Sequence, residues 1–265
     1  MPTVQDNPVV AEITTDIDAA AFIAALTGTY SQAEEDAINQ FYISMKTNGL
    51  YSLTEEIKLL SLDSITDAAI DLISATTTGA NNGMTFVARE GLSGNGSNAY
   101  YDTGFTMSTD GTVLSQNSVA LHVYVRTNVA ENAYDIGART VSTRRNYIVS
   151  RWCSNDAFGK IAGGNGNFAI APSTDSRGMW SISRTASNDM QLYKNQSSLV
   201  TQGSTSIALV EFPLYLGALN RGGAASDYAS KQYAFYAITA GMTPAQIATF
   251  HTLVVNLLTA FGANI

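Results

Sequence analysis

The sequence predicts a mainly β protein: a two-sheet jelly-roll sandwich with an N-terminal helical segment and a C-terminal amphipathic helix. Three observations carry that prediction. From about residue 76, short apolar runs follow one another, separated by Gly, Asn, Ser and Thr at the spacing of an all-β sandwich. The run NSVALHVYVRT alternates cleanly, with Val119, Leu121, Val123 and Val125 on one face and Ala120, His122 and Tyr124 on the other. The final stretch, AGMTPAQIATFHTLVVNLLTAFG, repeats its apolar residues at helical spacing.

Taken in order, residues 1–18 form an arm with two prolines, acidic groups and no period. Such a segment is a free terminus or a tether that orders on a partner. Residues 19–75 read as a helical segment. A short helix with an Asp cap covers Asp18 to Leu26, and Ser31 opens a second helix through a capping box with Glu34. The stripe Ala33, Ala37, Ile38, Phe41 and Met45 is its apolar face, and Gly49 ends it after Asn48. ITDAAIDLI fits either another helical turn or a strand. Residues 76–265 form the sandwich and its closing helix. MTFVARE, the aromatic AYYDTGF, YIVSRW, FAIA, GMWSISRTA and MQLYKN read as strands, with NDAFG, GGNGN and PSTDSRG between them and a hairpin at ASND. LYLGALN, a Gly-rich turn, then KQYAFYAIT bring the total to about ten strands. Tyr233, Phe235 and Ala237 share one face of the last strand. Thr243 caps the closing helix, Pro244 takes its first position and Gln246 completes the capping box. Its stripe is Ile247, Phe250, Val254, Leu257, Leu258 and Phe261, and Gly262 follows.

Charged residues make up 14% of the chain, against roughly 25% in an average soluble protein. The net charge of -8 argues against a nucleic-acid partner, which needs clustered Lys and Arg. The one local basic group is Arg139, Arg144, Arg145 and Arg151, on a loop and two strands. The single cysteine, Cys153, excludes an internal disulfide and reads as a buried inert thiol. No run of apolar residues is long enough for a transmembrane helix, and no signal peptide is expected.

AEEDAINQFYISMKTNGLY, AIDLIS with MTFVAREGLSGNGSNAYYDTGF, SISRTASNDMQLYKNQSSLV and the closing strand and helix occur in that order over residues 31–265. Together they resemble the concanavalin A-like lectin/glucanase (LamG-like) jelly rolls of bacteriophage structural proteins, although Gln196 stands where a Gly is usual in the hairpin. The resemblance implies a virion component, made in the host cytoplasm and docked to other capsid or tail proteins, with self-association expected. An alternative from the same resemblance is a receptor-binding module for a host-surface glycan.

Chemistry is sparse. A glucanase needs paired carboxylates about 5–5.5 Å apart for retention. No Glu-x-Asp-x-Glu pattern occurs: Glu55 and Glu56 are adjacent, and Glu90, Asp102, Glu131, Asp135 and Glu211 are scattered. The expectation is therefore a chain that is not an enzyme. His122 and His251 are too few for a zinc site, and no cofactor is expected. The remaining candidates are carbohydrate-binding residues on loops: Trp152, Asn165, Asn167, Asn220, Asp227 and Tyr228. The competing reading is that these Gly/Asn loops only turn the chain.

Overall fold

The computed structural model describes residues 14–140 and 143–265. Most of the expected arm, residues 1–13, lies outside them. The chain begins with α1 (Ile17–Ala25) and α2 (Gln32–Thr47), then β1 (Thr54–Leu59) and the one-turn α3 (Ile65–Ala68). Short strands follow: β2 (Ala80–Asn82), β3 (Thr85–Val87), β4 (Gly91–Ser93) and β5 (Tyr100–Asp102). The longer β6 (Val119–Val125), β7 (Ile136–Arg139), β8 (Arg145–Val149), β9 (Asp156–Gly163) and β10 (Ala169–Pro172) come next. A meander runs through β11 (Gly178–Ala186), β12 (Asp189–Lys194) and β13 (Ser197–Gln202). The chain closes with β14 (Tyr215–Leu216), β15 (Leu219–Arg221), β16 (Ala224–Ser226), β17 (Gln232–Thr239) and α4 (Pro244–Ala260).

The strands form two sheets, as a sandwich requires. The first runs β13-β12-β11-β6-β17-β4-β3, and β1 also pairs with β17. The second runs β10-β9-β8-β7-β14-β5-β2, with β15 and β16 attached at β7. Between them lies a core of Val119, Leu121, Val123 and Val125 from β6, with Ile136, Ile148, Trp180, Ile182, Leu216 and Tyr236. The expected face of β6 is therefore the inner one. A second core lies on the other side of the first sheet. There α1, α2 and α4 bury Phe22, Phe41, Tyr42, Phe250 and Leu257 against Tyr124, Phe235 and Ala237. A buried side chain of this size contributes about 1.5–3 kcal/mol, so this layer is a structural part of the fold.

The helix caps follow the sequence. Thr243 and Gln246 form the capping box of α4, Pro244 is at its start, and Gly262 ends it at φ +69°. Ser31 N–H donates to Glu34 Oε2 at 2.7 Å at the head of α2. Several details differ. The cap of α1 is Asp16, whose carboxylate accepts from Asp18 N–H at 3.0 Å, so the helix starts before the expected Asp18. Ala33 is exposed, and Tyr42 takes its place in the buried stripe of α2.

The segment expected to be helical contains β1. Its TEEIKL has a carboxylate and an ammonium at inward positions, which hides the alternation; Glu56 and Lys58 are nonetheless buried. Glu56 accepts from the Tyr236 hydroxyl, and Lys58 Nζ donates to the Ala69 carbonyl. β4 and β1 divide one edge of β17 between them. Against β6, a bulge between Tyr233 and Phe235 turns Tyr233 to the inter-sheet side, away from Phe235 and Ala237. Strict alternation puts all three on one face, and the bulge separates them.

The strands are also shorter and more numerous than the expected ten, because loops and bulges interrupt the runs. NDAFG, expected as a separator, opens β9 at Asp156. LYLGALN is two strands, not one. The backbone doubles back at Gly217 (φ +74°), so β14 pairs antiparallel and β15 parallel with β7. The Gly-rich turn then leads into β16, an unexpected strand that pairs with β15.

Candidate functional site on the outer face of the second sheet

Among the described residues, the helices cover the outer side of the first sheet and not of the second. The outer side of the second sheet shows what the sequence left available. On β7, Ile136 and Ala138 point into the core, so Gly137 and Arg139 point out. Register then lines up neighbours. Arg139 pairs with Arg145 on β8 and with Arg221 on β15, so three guanidinium-bearing side chains stand abreast on adjacent strands. One step along, Tyr215, Gly137 and Tyr147 stand abreast. A Cβ at Gly137 would lie 2.3 Å from Tyr147 Cβ, so only glycine lets the two strands close up under the tyrosine.

Like charges placed directly opposite on a sheet are destabilising. The row is only partly balanced. Arg221 Nη2 donates to Asp227 Oδ2 at 2.9 Å. Arg145 donates from Nε and Nη2 to the neutral Asn165 Oδ1 at 3.1 and 2.6 Å. The Nε of Arg139 is buried and has no hydrogen-bond partner among the described residues. Burial first, then the neighbouring Arg221 and Arg145 cations, hold Arg139 below the usual guanidinium range.

Aromatic rings flank the row. Tyr134 meets Tyr147 edge-on at 4.9 Å and Trp152 at 6.1 Å, and Trp152 lies 5.3 Å from Phe158. Phe158 continues to Phe168 at 6.3 Å. Tyr134, Trp152, Phe158 and Phe168 are all half-buried. Burial raises the Tyr134 and Tyr147 hydroxyls above the ordinary phenol range, so both stay protonated hydrogen-bond donors at neutral pH. Tyr100, Tyr215 and Tyr228 form a second group beyond Gly137, with Tyr100 and Tyr215 rings 4.5 Å apart.

The sequence candidates divide around this face. Asn165 and Asp227 tie the ends of the arginine row, and Trp152 belongs to the ring cluster. Asp227 also accepts the Tyr134 N–H through its carbonyl at 3.2 Å. Tyr228 lies tilted against Tyr100 at 6.2 Å and donates its hydroxyl to the Ala225 carbonyl at 2.9 Å. Asn167 stands apart: its carbonyl accepts from Lys160 Nζ at 2.8 Å, holding the loop over that lysine. Asn220 is buried, donating to the Pro213 carbonyl and accepting from Gly223 N–H. It builds the turn and cannot reach a ligand, which corrects its place among the candidates.

Of the expected basic group, Arg139 and Arg145 join the row. Arg144 is paired with Glu211 at 2.7 Å, and Arg151 binds Asn128 and Asn155. Arg221 comes from a distant part of the chain and was invisible as a member. Cys153 is exposed, not buried, because it lies in the turn between β8 and β9 and not on a strand. His122 is packed inside, between Ser181 and Thr239. A polar hollow of about 450 Å³ near the C-terminus is lined by Asp175, Arg177, Lys194 and His251. Its charges are already paired: Arg177 binds Asp175 bidentately and Lys194 binds the Asp175 carbonyl.

No family model matches the chain, and no curated protein matches it in sequence. Solved structures do match. A mutant of Trypanosoma rangeli sialidase displaying trans-sialidase activity aligns with 86% of this chain and 40% of its own, at 12% identity and a TM-score of 0.56. Trypanosoma rangeli sialidase in complex with sialic acid aligns with 82% of this chain and 38% of its own, at 11% identity and a TM-score of 0.52. The Ruminococcus gnavus IT-sialidase CBM40 aligns with 66% of this chain and 97% of its own, at 11% identity and a TM-score of 0.44. The chain thus spans about two fifths of the length of the T. rangeli sialidases it matches. At this identity the likeness establishes the lectin-like sandwich and no more. It overturns one expectation: structures of this fold belong to sialidases, which are enzymes, so the lack of a paired-carboxylate strand pattern is no ground for calling the chain non-enzymatic.

Proposed function

We propose that this chain is a lectin-like carbohydrate-binding domain that takes a glycan on the outer face of its second sheet. The observation that supports this best is the run of half-buried rings, Tyr134, Trp152, Phe158 and Phe168, beside polar groups on the face left bare by the helices. A sugar ring lays its C–H face on such rings while polar groups at their edge fix its orientation. The sandwich itself is one that occurs within carbohydrate-active proteins.

Trp152 provides the test. Trp180 is fully buried, and Trp152 is the half-exposed indole. A bound sugar should shift Trp152 emission saturably, and Trp152→Phe should remove the shift. Screening the chain against a broad panel of immobilised glycans, with no member bound, would sink the reading.

We also propose a bacteriophage particle as the setting, with the domain docked to capsid or tail proteins. What supports that is the order of segments over residues 31–265 that resembles phage structural jelly rolls. Mass spectrometry of purified particles tests it, and absence of the chain from them would end it.

A further inference from the structure

We infer that the row Arg145–Arg139–Arg221 is a receptor for the carboxylate of an acidic sugar, an assignment that rests on the glycan reading above and narrows it. The register alone sets up the site: three guanidinium groups on three adjacent strands, all on the outer face. Adjacent strands stand about 4.7–4.9 Å apart, so Arg139 has a cationic neighbour one strand spacing away on each side. Among the described residues one carboxylate pairs ionically with the row, Asp227 on Arg221. The row therefore carries excess positive charge on a chain whose net charge is -8.

Arg139, in the middle, is the informative member. A buried guanidinium nitrogen without a partner costs stability, and folded proteins rarely leave one so. Its Nε is left so here, among two further cations. An arriving carboxylate would accept from Arg139 and relieve the repulsion along the row. Guanidinium suits that task because its planar fork matches two carboxylate oxygens. The neighbours suit the rest of a sugar. Tyr134, half-buried beside the row, keeps a protonated hydroxyl, and Trp152 and Phe158 extend the platform from it, while the fully buried Tyr147 supports Tyr134 from below. A uronic or ulosonic acid residue, with its carboxylate on the arginines and its ring on the aromatic platform, uses every part of this arrangement.

The test measures binding of three matched oligosaccharide sets, neutral, carboxylated and sulfated, and a single-stranded oligonucleotide, by titration calorimetry. The carboxylated set should bind tightest and weaken as salt rises from about 50 to about 500 mM. Arg139→Ala should lower that affinity roughly tenfold or more, and Arg139→Lys should not restore it, since an ammonium lacks the fork. The melting temperature of Arg139→Ala should equal or exceed that of the wild type, because the substitution removes like-charge repulsion; a purely structural arginine would lower it. Neutral glycans bound as tightly as acidic ones, with Arg139→Ala unchanged, would overturn the carboxylate assignment and leave the glycan reading standing. A preference for sulfated sugars or for the oligonucleotide would overturn it too. No glycan bound at all would remove both readings together.

Discussion

Lowering the pH from 7.5 to 4 should cost this protein about 3 kcal/mol of stability through His122 alone. His122 lies mid-strand on β6, fully buried, with its ring 4.9 Å from Phe250 of α4. Thr239 Oγ1 donates to the Ala240 carbonyl at 2.7 Å, so toward the imidazole it can only accept. Nε2 therefore carries the proton and donates to Thr239 at 3.1 Å, while Nδ1 accepts from Ser181 Oγ at 2.8 Å. A second proton at Nδ1 would displace the Ser181 donor and put a charge in the core. Burial accordingly depresses the pKa from 6.5 to about 3. Because the folded value is lowered, the unfolded chain binds the extra proton first. The stabilisation is whole above pH 6.5 and drains as pH falls toward 3. Urea unfolding at several pH values, for the wild type and His122→Leu, isolates the effect. Carboxylates such as Asp175, held at about 2 chiefly by its hydrogen bond to Arg177, titrate in both proteins and cancel in the difference. The difference between the two stabilities should change by about 3 kcal/mol between pH 7.5 and 4. Parallel profiles would refute the assignment of a neutral, doubly bonded imidazole.

Two further outcomes follow from buried contacts. Asp135→Ala should cost about 3–5 kcal/mol by chemical denaturation, because it strands Lys231, whose fully buried ammonium lies 3.1 Å from that carboxylate, and also removes the acceptor for Tyr233; a loss under about 1 kcal/mol would mean water or Glu131 replaces the pair. Gly91→Ala should lower stability on the order of 3 kcal/mol, since its Cβ would sit 2.0 Å from the Tyr233 carbonyl at φ +114°. Gly83→Ala, also at positive φ but with its nearest neighbour 4.0 Å away, should cost about 1 kcal/mol, and equal melting temperatures for the two variants would show that the close approach is not what matters.

The parts of the fold legible in the sequence are those where local chemistry and periodicity agree. β6 alternates without interruption, and α4 carries a cap, a proline and a stripe that all mark the same boundary. Where a buried charge interrupts the pattern, as at Glu56 and Lys58 in β1, the strand is hidden, because its partners lie outside it: the Ala69 carbonyl beyond the next turn and the Tyr236 hydroxyl near the far end of the chain. Where a glycine reverses the chain, as at Gly217, one apolar run became two strands of opposite sense. The candidate site was the least legible part. Arg139 and Arg145 were visible as a basic pair, and Asn165, Asp227 and Trp152 as polar or aromatic loop residues. Arg221 joins them only through a parallel pairing that depends on the Gly217 reversal. Register is a property of pairing, and no local pattern near Arg221 announces it.

The treatment of charge elsewhere in the molecule gives the arginine row its meaning. This chain buries several ionisable groups and, in its interior, supplies each with partners. Lys231 lies against Asp135 and Glu131, Lys58 reaches the Ala69 carbonyl, and Lys160 reaches the Gly166 and Asn167 carbonyls. Arg184 leaves one nitrogen unpartnered but donates through the others to the Ile161, Ser187 and Ser204 carbonyls. Arg139 departs from that habit: its Nε has no partner among the described residues, and the strands beside it bring more cations at the paired positions. Folding could have relieved this with an acidic residue at 145 or 221, and the surrounding register would have accepted either. A sheet that holds three arginines abreast gives up stability on its own. The loss is recovered when an anion occupies the row, so the same geometry that weakens the free protein strengthens the bound one.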